Sequence, residues 1–173
     1  NYFSDDRFSY FEIQIMTGKE KIFFKKKILI YGLGKTGISS FLFLKKNNDV
    51  YLFDDNKKVL RKQNHNFSIN HKNAIKFFFD YILVSPGINV NQCLLKNFIK
   101  KNLKKIITDL DVFYSHYQNN VNISITGTNG KSTTAKILFE VLKNQKKDVR
   151  LVGNIGSAIL NEKDISAKTI FVI

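Results

Sequence analysis

The residues with the clearest chemical potential lie at positions 126–134, where the sequence is TGTNGKSTT. Gly127 and Gly130 allow backbone N–H groups to converge on an anion, and the helical pattern that follows would point its positive end at the same place. Lys131 adds a mobile cation, and the hydroxyl of Ser132 can bind Mg²⁺. This stretch therefore predicts a site for a phosphate chain and its metal ion.

The glycine spacing of this stretch differs from that of the usual phosphate loop. In the pattern G-x-x-x-x-G-K-[ST] the first glycine would fall on position 125, which is occupied by Ile125. The loop is thus a compact variant, with Thr133 as a second candidate hydroxyl for the metal. The competing interpretation is a plain strand–helix turn with an incidental lysine. It is disfavoured because strand, glycines, lysine, hydroxyls and helix follow in the order that a phosphate site needs.

A second glycine turn, Gly32-Leu33-Gly34-Lys35-Thr36-Gly37, lies between an apolar run at 27–31 and a helical stretch. Another apolar run at 50–53 follows and ends at Asp54 and Asp55. This is the strand–helix–strand pattern of dinucleotide-type sites, with an acidic residue about 20 residues after the glycines to accept hydrogen bonds from a ribose or base. The alternative is a glycine turn that serves only close packing of helix on strand.

A third candidate loop follows the apolar run at 81–84 and reads Ser85-Pro86-Gly87-Ile88. Its proline and glycine end the strand at its carboxyl end, where open parallel sheets bind ligands. From spacing alone, a simple turn is the favoured interpretation.

These loops need an α/β scaffold, and the rest of the chain supplies the pattern for one. We expect helices over 91–102, 109–117 and 132–144, another starting at 157, and strands at 105–108, 148–152 and 169–173. Residues 56–79 show little pattern. We divide the chain into 1–18, either an extension outside the fold or an edge strand, a Rossmann-like unit at 19–107 and the start of a P-loop-type unit at 108–173.

The amino-acid composition of the chain limits the classes of function that it could have. The formal charge is +14 over 173 residues, but the lysines are spread in short clusters at element ends, and a lysine- and asparagine-rich composition is typical of AT-rich coding. We therefore expect anionic small molecules rather than nucleic acid as partners. No apolar run suits a membrane span, and one cysteine, Cys93, fits a reducing cytoplasm and core packing. His65 and His71 are expected to be surface or loop residues.

Four motifs in this order resemble those of the Mur ligases of peptidoglycan synthesis. They are GLGKTG at 32–37, SPGI at 85–88, TGTNGKST at 126–133 and GNIG at 153–156. The phosphate loop is common to all Mur ligases and to folylpolyglutamate synthase, whereas the first two motifs point to the D-glutamate-adding branch. The resemblance covers 26–173, about the first third of such an enzyme.

The resemblance implies roles for particular residues. The first unit would bind the UDP part of UDP-N-acetylmuramoyl-L-alanine through Gly34, Lys35, Thr36, Asp54, Asp55, Ser85, Pro86 and Gly87, with Asn154 facing the muramoyl group. ATP would be held by Gly127, Thr128, Asn129, Gly130, Lys131, Ser132 and Thr133. Of these, Lys131 would be the catalytic cation on the β- and γ-phosphates, and Ser132 the ligand of Mg²⁺.

The resemblance also implies a reaction. A substrate carboxylate takes the γ-phosphate of ATP, and the amine of D-glutamate then attacks the acyl phosphate; the enzyme would be a cytoplasmic monomer. A metal-binding glutamate is expected directly after Ile173, and a histidine, a modified lysine and a D-glutamate-binding domain later still. None is in this sequence, so we expect the 173-residue chain to be a fragment without ligase activity of its own.

Three alternatives remain at this point. The chain could be part of another Mur ligase, either the L-alanine-adding or the diaminopimelate- or lysine-adding member. It could be a nicotinamide-binding module based on the first glycine turn, although that gives the second loop no role. It could be a nucleic-acid-dependent P-loop ATPase, although no stripe of interleaved basic and aromatic residues is present.

Overall fold

The computed structural model describes residues 22–62, 66–153 and 155–173, and it confirms an α/β fold with parallel sheets. The strand order is β2-β1-β3-β4 in the first sheet and β5-β7-β6 in the second, and every strand pair is parallel. The predicted N-terminal extension, 1–18, lies outside the described residues. None of the helices in the described ranges is long and apolar enough to cross a membrane.

The first sheet and its helices occupy the chain up to Ile107. The elements are β1 (Lys27–Tyr31), α1 (Lys35–Leu44), β2 (Asp49–Phe53), α2 (Lys57–Arg61), α3 (His71–Lys76), β3 (Tyr81–Val84), α4 (Lys96–Lys101) and β4 (Ile106–Ile107). A 3₁₀ turn, Leu103–Lys105, connects α4 to β4.

The second sheet follows. Its elements are α5 (Asp109–His116), β5 (Val121–Ile123), α6 (Lys131–Asn144), β6 (Val149–Leu151) and β7 (Ile170–Val172), with a 3₁₀ turn at Ile159–Asn161. The short strand β7 lies between the other two, so the carboxyl ends of β5 and β6 flank it at one edge.

The apolar run of β1 forms a central strand because its two faces are both covered. Ile28 and Ile30 belong to one hydrophobic cluster, which α1 and α5 cover, and Leu29 and Tyr31 belong to another, on the side of α3 and α4. All four side chains are fully buried. Burial on both faces is the reason that such a strand is apolar throughout instead of alternating.

Helix α5 packs where the two sheets meet. Its N-cap is Thr108, whose hydroxyl accepts a hydrogen bond from the backbone N–H of Asp111, while the Asp111 carboxylate accepts one from the N–H of Thr108 at 2.7 Å. Such a reciprocal capping box fixes the start of a helix. Phe113 of this helix packs edge-on against Phe171 of β7, with ring centroids 4.7 Å apart. One buried cluster therefore runs from β1 to the second sheet.

Three expectations about elements need correction. The helix predicted at 91–102 is confined to α4, because Asn89 holds the preceding turns: its side chain accepts from the N–H of Asn91, and its carbonyl from Gln92 and Cys93. The unpatterned stretch 56–79 contains α2 and α3, whose N-caps are asparagines. The helix expected from 157 is only a 3₁₀ turn that begins at 159.

A polar network closes the amino-terminal edge of the second sheet. The carboxylate of Asp148 accepts hydrogen bonds from Thr169 and from Arg150, and the Nε atom of Arg150 lies 3.2 Å from Glu162. The hydrogen bond from Thr169, together with the charge of Arg150, lowers the pKa of Asp148 below its usual value of 3.8. This carboxylate thus joins the starts of β6 and β7.

We predict that Asp148→Asn lowers the melting temperature at neutral pH and that the difference from wild type shrinks in acid. A carboxyl group whose pKa is lower in the folded state stabilises the fold above its unfolded pKa, and the contribution is lost as the pH falls through the folded value. Melting curves between about pH 7 and about pH 2.5 measure this. Asp49→Asn, at an exposed residue of the other sheet, is the control. A pH-independent difference for Asp148→Asn would contradict the prediction.

Candidate functional site

The glycine turn after β1 is packed tightly at two of its three glycines. Gly32 has a φ of +93°, and a Cβ there would lie 2.8 Å from Cγ1 of Ile88. A Cβ on Gly37 would lie only 1.9 Å from the carbonyl oxygen of Gly32. Gly37 is required by the contact of α1 with the turn, as the packing interpretation proposes, and Gly32 is required by the contact of the turn with the loop after β3.

Gly34 is different, because a Cβ built on it meets no atom within 4 Å. It is the N-cap of α1, and a glycine there offers no side-chain acceptor to the first N–H groups of the helix. Lys35 and Thr36 form the first turn, with the backbone of Thr36 accepting hydrogen bonds from two buried serines. Open space in front of a helix N-terminus is a suitable place for an anion, and the predicted residues 34–36 lie together there.

The loop after β3 lies against this turn. The hydroxyl of Ser85 is buried and donates a hydrogen bond to the carbonyl of Gly32 at 2.7 Å. Pro86 and Gly87 are exposed, and Gly87, like Gly34, has no atom within 4 Å of a built Cβ. The structure therefore assigns Ser85 to fixing the turn, while its two neighbours face open space.

The two acidic residues after β2 accept hydrogen bonds from other groups of the protein. Asp54 accepts a hydrogen bond from the N–H of Leu33 at 2.7 Å and another from the N–H of Asn56 at 2.8 Å. Asp55 accepts one from the hydroxyl of Tyr31 at 2.5 Å and one from the N–H of Leu94 at 3.2 Å. The predicted acids thus lie at the expected edge of the sheet, and both hold neighbouring backbone in place.

Sequence reasoning missed Tyr31. It ends the apolar run of β1, and its ring is fully buried beside Phe53, with ring centroids 5.4 Å apart. Burial raises the pKa of the Tyr31 hydroxyl, and the hydrogen bond to Asp55 raises it further. The phenol therefore stays protonated and acts as a hydrogen-bond donor. The only signal for it in the sequence is a polar-tipped residue at the end of an apolar strand.

The compact glycine loop connects β5 to α6. Gly127 and Gly130 have φ values of +147° and +78°, which favour glycine, and Gly130 is the N-cap of the 14-residue helix α6. All residues of the loop from 127 to 133 are exposed. The Nζ atom of Lys131 contacts the carbonyl of Gly127 and lies 3.2 Å from that of Thr128. The predicted residues thus form one exposed loop around a lysine.

The base of this loop is anchored by residues that the motif does not include. The backbone N–H of Ile125 donates to the carbonyl of Ile173 at 2.9 Å. The hydroxyl oxygens of Ser124 and of Tyr114 on α5 are 2.8 Å apart, within hydrogen-bond distance. Helix α5 therefore connects the phosphate loop to the hydrophobic cluster that it shares with the first sheet.

The loop after β6 carries the fourth motif. Gly156 has a φ of +81°, and a Cβ on it would lie 2.1 Å from the carbonyl oxygen of Leu151, so only glycine fits. Asn154, which the resemblance places beside the muramoyl group, lies outside the described residues.

Among the residues that the structure describes, the other reactive side chains do not form a metal centre. Nε2 of His71 is 3.4 Å from the carbonyl of Leu94, and Cys93 is half-buried against the second hydrophobic cluster. Within ranges 22–62, 66–153 and 155–173, no group of three or more His, Cys, Asp or Glu residues could hold a metal ion. His65 lies outside the residues that the structure describes. The Ser132 hydroxyl on the first turn of α6 remains the candidate ligand for an ion bound together with phosphates.

The chain is similar in sequence to several curated proteins that share one name. UDP-N-acetylmuramoylalanine–D-glutamate ligase of Rickettsia prowazekii is 36% identical over 143 residues, which is 80% of this chain and 32% of that protein. The enzymes of the same name from Clostridioides difficile and Buchnera aphidicola are 31% and 36% identical over 83% and 79% of this chain, covering 34% and 32% of their own lengths. No protein-family model matches the chain.

The chain thus spans about a third of the length of the curated relatives that it matches. The similarity agrees with the α/β fold and its parallel sheets. The chain belongs to the Mur ligase family, in which it is similar to the N-terminal portion of the D-glutamate-adding enzymes.

Proposed function

We propose that the chain provides the UDP-substrate site and the ATP phosphate loop of a ligase that adds D-glutamate to UDP-N-acetylmuramoyl-L-alanine. The observation that carries the first half is the open space at Gly34 in front of α1, beside a turn that the loop after β3 contacts through Ser85. The curated relatives carry this activity in their names, which supports the choice of substrate.

The first sheet would bind the uridine diphosphate. The N–H groups at the start of α1 suit a diphosphate oxygen, and the side chain of Lys35 is exposed beside them as a counter-charge. Asp54 already accepts hydrogen bonds from the N–H groups of Leu33 and Asn56, so its role would be to hold the backbone beside which a nucleoside would lie. The names of the curated relatives support a uridine nucleotide, rather than NAD, as the ligand of this turn.

The second sheet would bind ATP with Mg²⁺. The glycine conformations and the exposed N-terminus of α6 fit a phosphate chain, and Ser132 would supply a hydroxyl to the metal. Bound Mg²⁺ supplies charge neutralisation to the phosphates, as Lys131 does from the protein side. Neutralisation matters because the attacking group is itself a carboxylate.

The reaction would proceed in two balanced steps. A carboxylate oxygen of the UDP substrate forms a bond to the γ-phosphorus as the bond to ADP breaks, which leaves an acyl phosphate. The amine of D-glutamate then bonds to the acyl carbon, and inorganic phosphate and a proton leave. Such a function places the protein in cytoplasmic peptidoglycan precursor synthesis, where we propose that it works as a monomer.

Calorimetric titration of the 173-residue chain with UDP-N-acetylmuramoyl-L-alanine tests the first half. We predict that Gly34→Ala weakens binding by about tenfold, because the added methyl group fills the space in front of α1, while the melting temperature falls by only a few degrees. Lys45→Ala, at the opposite end of α1, should bind like wild type. Wild-type binding of NAD but not of the UDP substrate would overturn the proposal in favour of a nicotinamide-binding module.

A further inference from the structure

Both carboxylate oxygens of Asp55 accept a hydrogen bond. Oδ1 accepts from the buried hydroxyl of Tyr31 at 2.5 Å, and Oδ2 accepts from the backbone N–H of Leu94 at 3.2 Å. Tyr31 ends β1, Asp55 follows β2, and Leu94 lies just before α4. One side chain thus connects three segments that meet at the carboxyl edge of the first sheet.

With this connection, both ends of the loop after β3 are held by side-chain hydrogen bonds. At the start of that loop, the hydroxyl of Ser85 holds the carbonyl of Gly32 at 2.7 Å. At its end, Asp55 holds Leu94. Between these two anchors lie Pro86 and Gly87, which are exposed and which we propose as part of the UDP-substrate site.

The chemistry of the donor explains why the carboxylate stays in place. The Tyr31 side chain is buried among apolar residues of the second cluster, and a buried hydroxyl without an acceptor is costly. Asp55 is the charged acceptor beside it, next to the weaker thiol of Cys93, and a hydrogen bond to an ionised group is stronger than one between neutral groups. A carboxylate that turned toward a ligand would deprive this phenol of its charged acceptor.

We propose that Tyr31 and Asp55 form a latch that positions the loop after β3 for the UDP substrate, and that Asp55 is a positioning residue rather than a ligand of the nucleotide. The latch rests on the proposed function for its effect on binding. It revises the role that the family resemblance implies for Asp55.

Calorimetry on three single variants and one double variant separates the two roles. Tyr31→Phe removes only the hydroxyl and keeps the ring in its packing. We expect it to weaken binding of UDP-N-acetylmuramoyl-L-alanine about three- to tenfold, which is less than the loss of a direct hydrogen bond to a charged ligand, because the latch acts on binding through the loop. Asp55→Ala should have a similar effect, and the double variant should be no more than about twofold weaker than the weaker single variant.

Tyr51→Phe is the matched control. Tyr51 lies on β2, and its hydroxyl donates to the exposed carboxylate of Asp49 at 3.1 Å, so the variant deletes a tyrosine–aspartate hydrogen bond outside the latch. It should bind like wild type. If Tyr31→Phe also binds like wild type while Asp55→Ala loses binding, Asp55 is a direct ligand and the latch is overturned.

Hydrogen exchange at the Leu94 amide gives a readout that needs no substrate. Exchange should be several-fold faster in Tyr31→Phe and in Asp55→Ala than in wild type, and unchanged in Tyr51→Phe. Unchanged exchange in folded Tyr31→Phe would overturn the latch even where wild type binds the substrate. Failure of wild type to bind the substrate would instead overturn the proposed function. Hydrogen exchange at the Leu94 amide would then be the measurement that tests the latch.

Discussion

Replacing Gly37 with alanine is expected to destabilise the chain by ~3 kcal/mol or more, which corresponds to a melting temperature lower by roughly 6–12 °C. The added Cβ would lie 1.9 Å from the carbonyl oxygen of Gly32 and 3.0 Å from the hydroxyl of Ser85. Gly32 cannot easily move away, because its N–H donates to Phe53 and its carbonyl accepts from Ser85. Relief would require α1 to shift away from β1, which opens the buried cluster beneath it.

Urea or thermal unfolding followed by circular dichroism measures the effect. Gly34→Ala is the matched control, since it adds the same methyl group three residues away where no atom lies within 4 Å. The control should lose at most about 1 kcal/mol, the usual range for changing an N-cap residue. Equal losses in the two variants would show that helix propensity, and not the contact with Gly32, decides the stability of this turn.

The same pair of glycines shows what the sequence could predict about the first site. The motif located the turn correctly between β1 and α1, because a short apolar run followed by spaced glycines and a helical pattern has few other solutions. The motif could not show that Gly34 faces open space whereas Gly32 and Gly37 are in close contact with other parts of the protein. That distinction depends on how closely α1 and the loop after β3 approach the turn, which only the three-dimensional structure shows.

Buried strands were the most predictable elements. The apolar runs at 27–31, 50–53 and 81–84 match β1, β2 and β3 closely, because burial on both faces leaves an uninterrupted apolar signal. Helix limits were less predictable: the turns held by Asn89 delay α4 until Lys96. Asparagine side chains compete with helix formation through local hydrogen bonds, and one apolar stripe carries no information about that competition.

The contacts that join distant segments were not predictable at all. The hydrogen bond from Tyr31 to Asp55 spans 24 residues and the one from Leu94 to Asp55 spans 39. Each depends on the parallel register in which Tyr31 lies beside Phe53 and Val84. Sequence patterns give the periodicity of an element but not the partner of a side chain at its end, so the acids were located correctly and their partners were missed.

Replacing Lys131 with alanine is expected to weaken binding of ATP with Mg²⁺ to the chain by about 10- to 100-fold, since hydrogen bonds to charged groups contribute about 1.5–3 kcal/mol. The Nζ atom already lies inside the loop, beside the carbonyls of Gly127 and Thr128. A bound phosphate chain would exchange these neutral acceptors for anionic oxygens, which attract an ammonium group more strongly. Because the side chain is exposed and packs against no core, the melting temperature without nucleotide should hardly change.

Titration with a fluorescent ATP analogue in the presence of Mg²⁺ measures the loss. Lys136→Ala removes the same charge from an exposed position five residues further along α6, where the helical period turns the side chain away from the loop. A general effect of net charge, which is +14 for this chain, would weaken both variants alike and more strongly at low salt. Only a phosphate loop makes Lys131→Ala lose affinity while Lys136→Ala retains it. Binding by Lys131→Ala within twofold of wild type would therefore refute the assignment of this loop to ATP, because no other cation of the motif lies beside the carbonyls of residues 127 and 128.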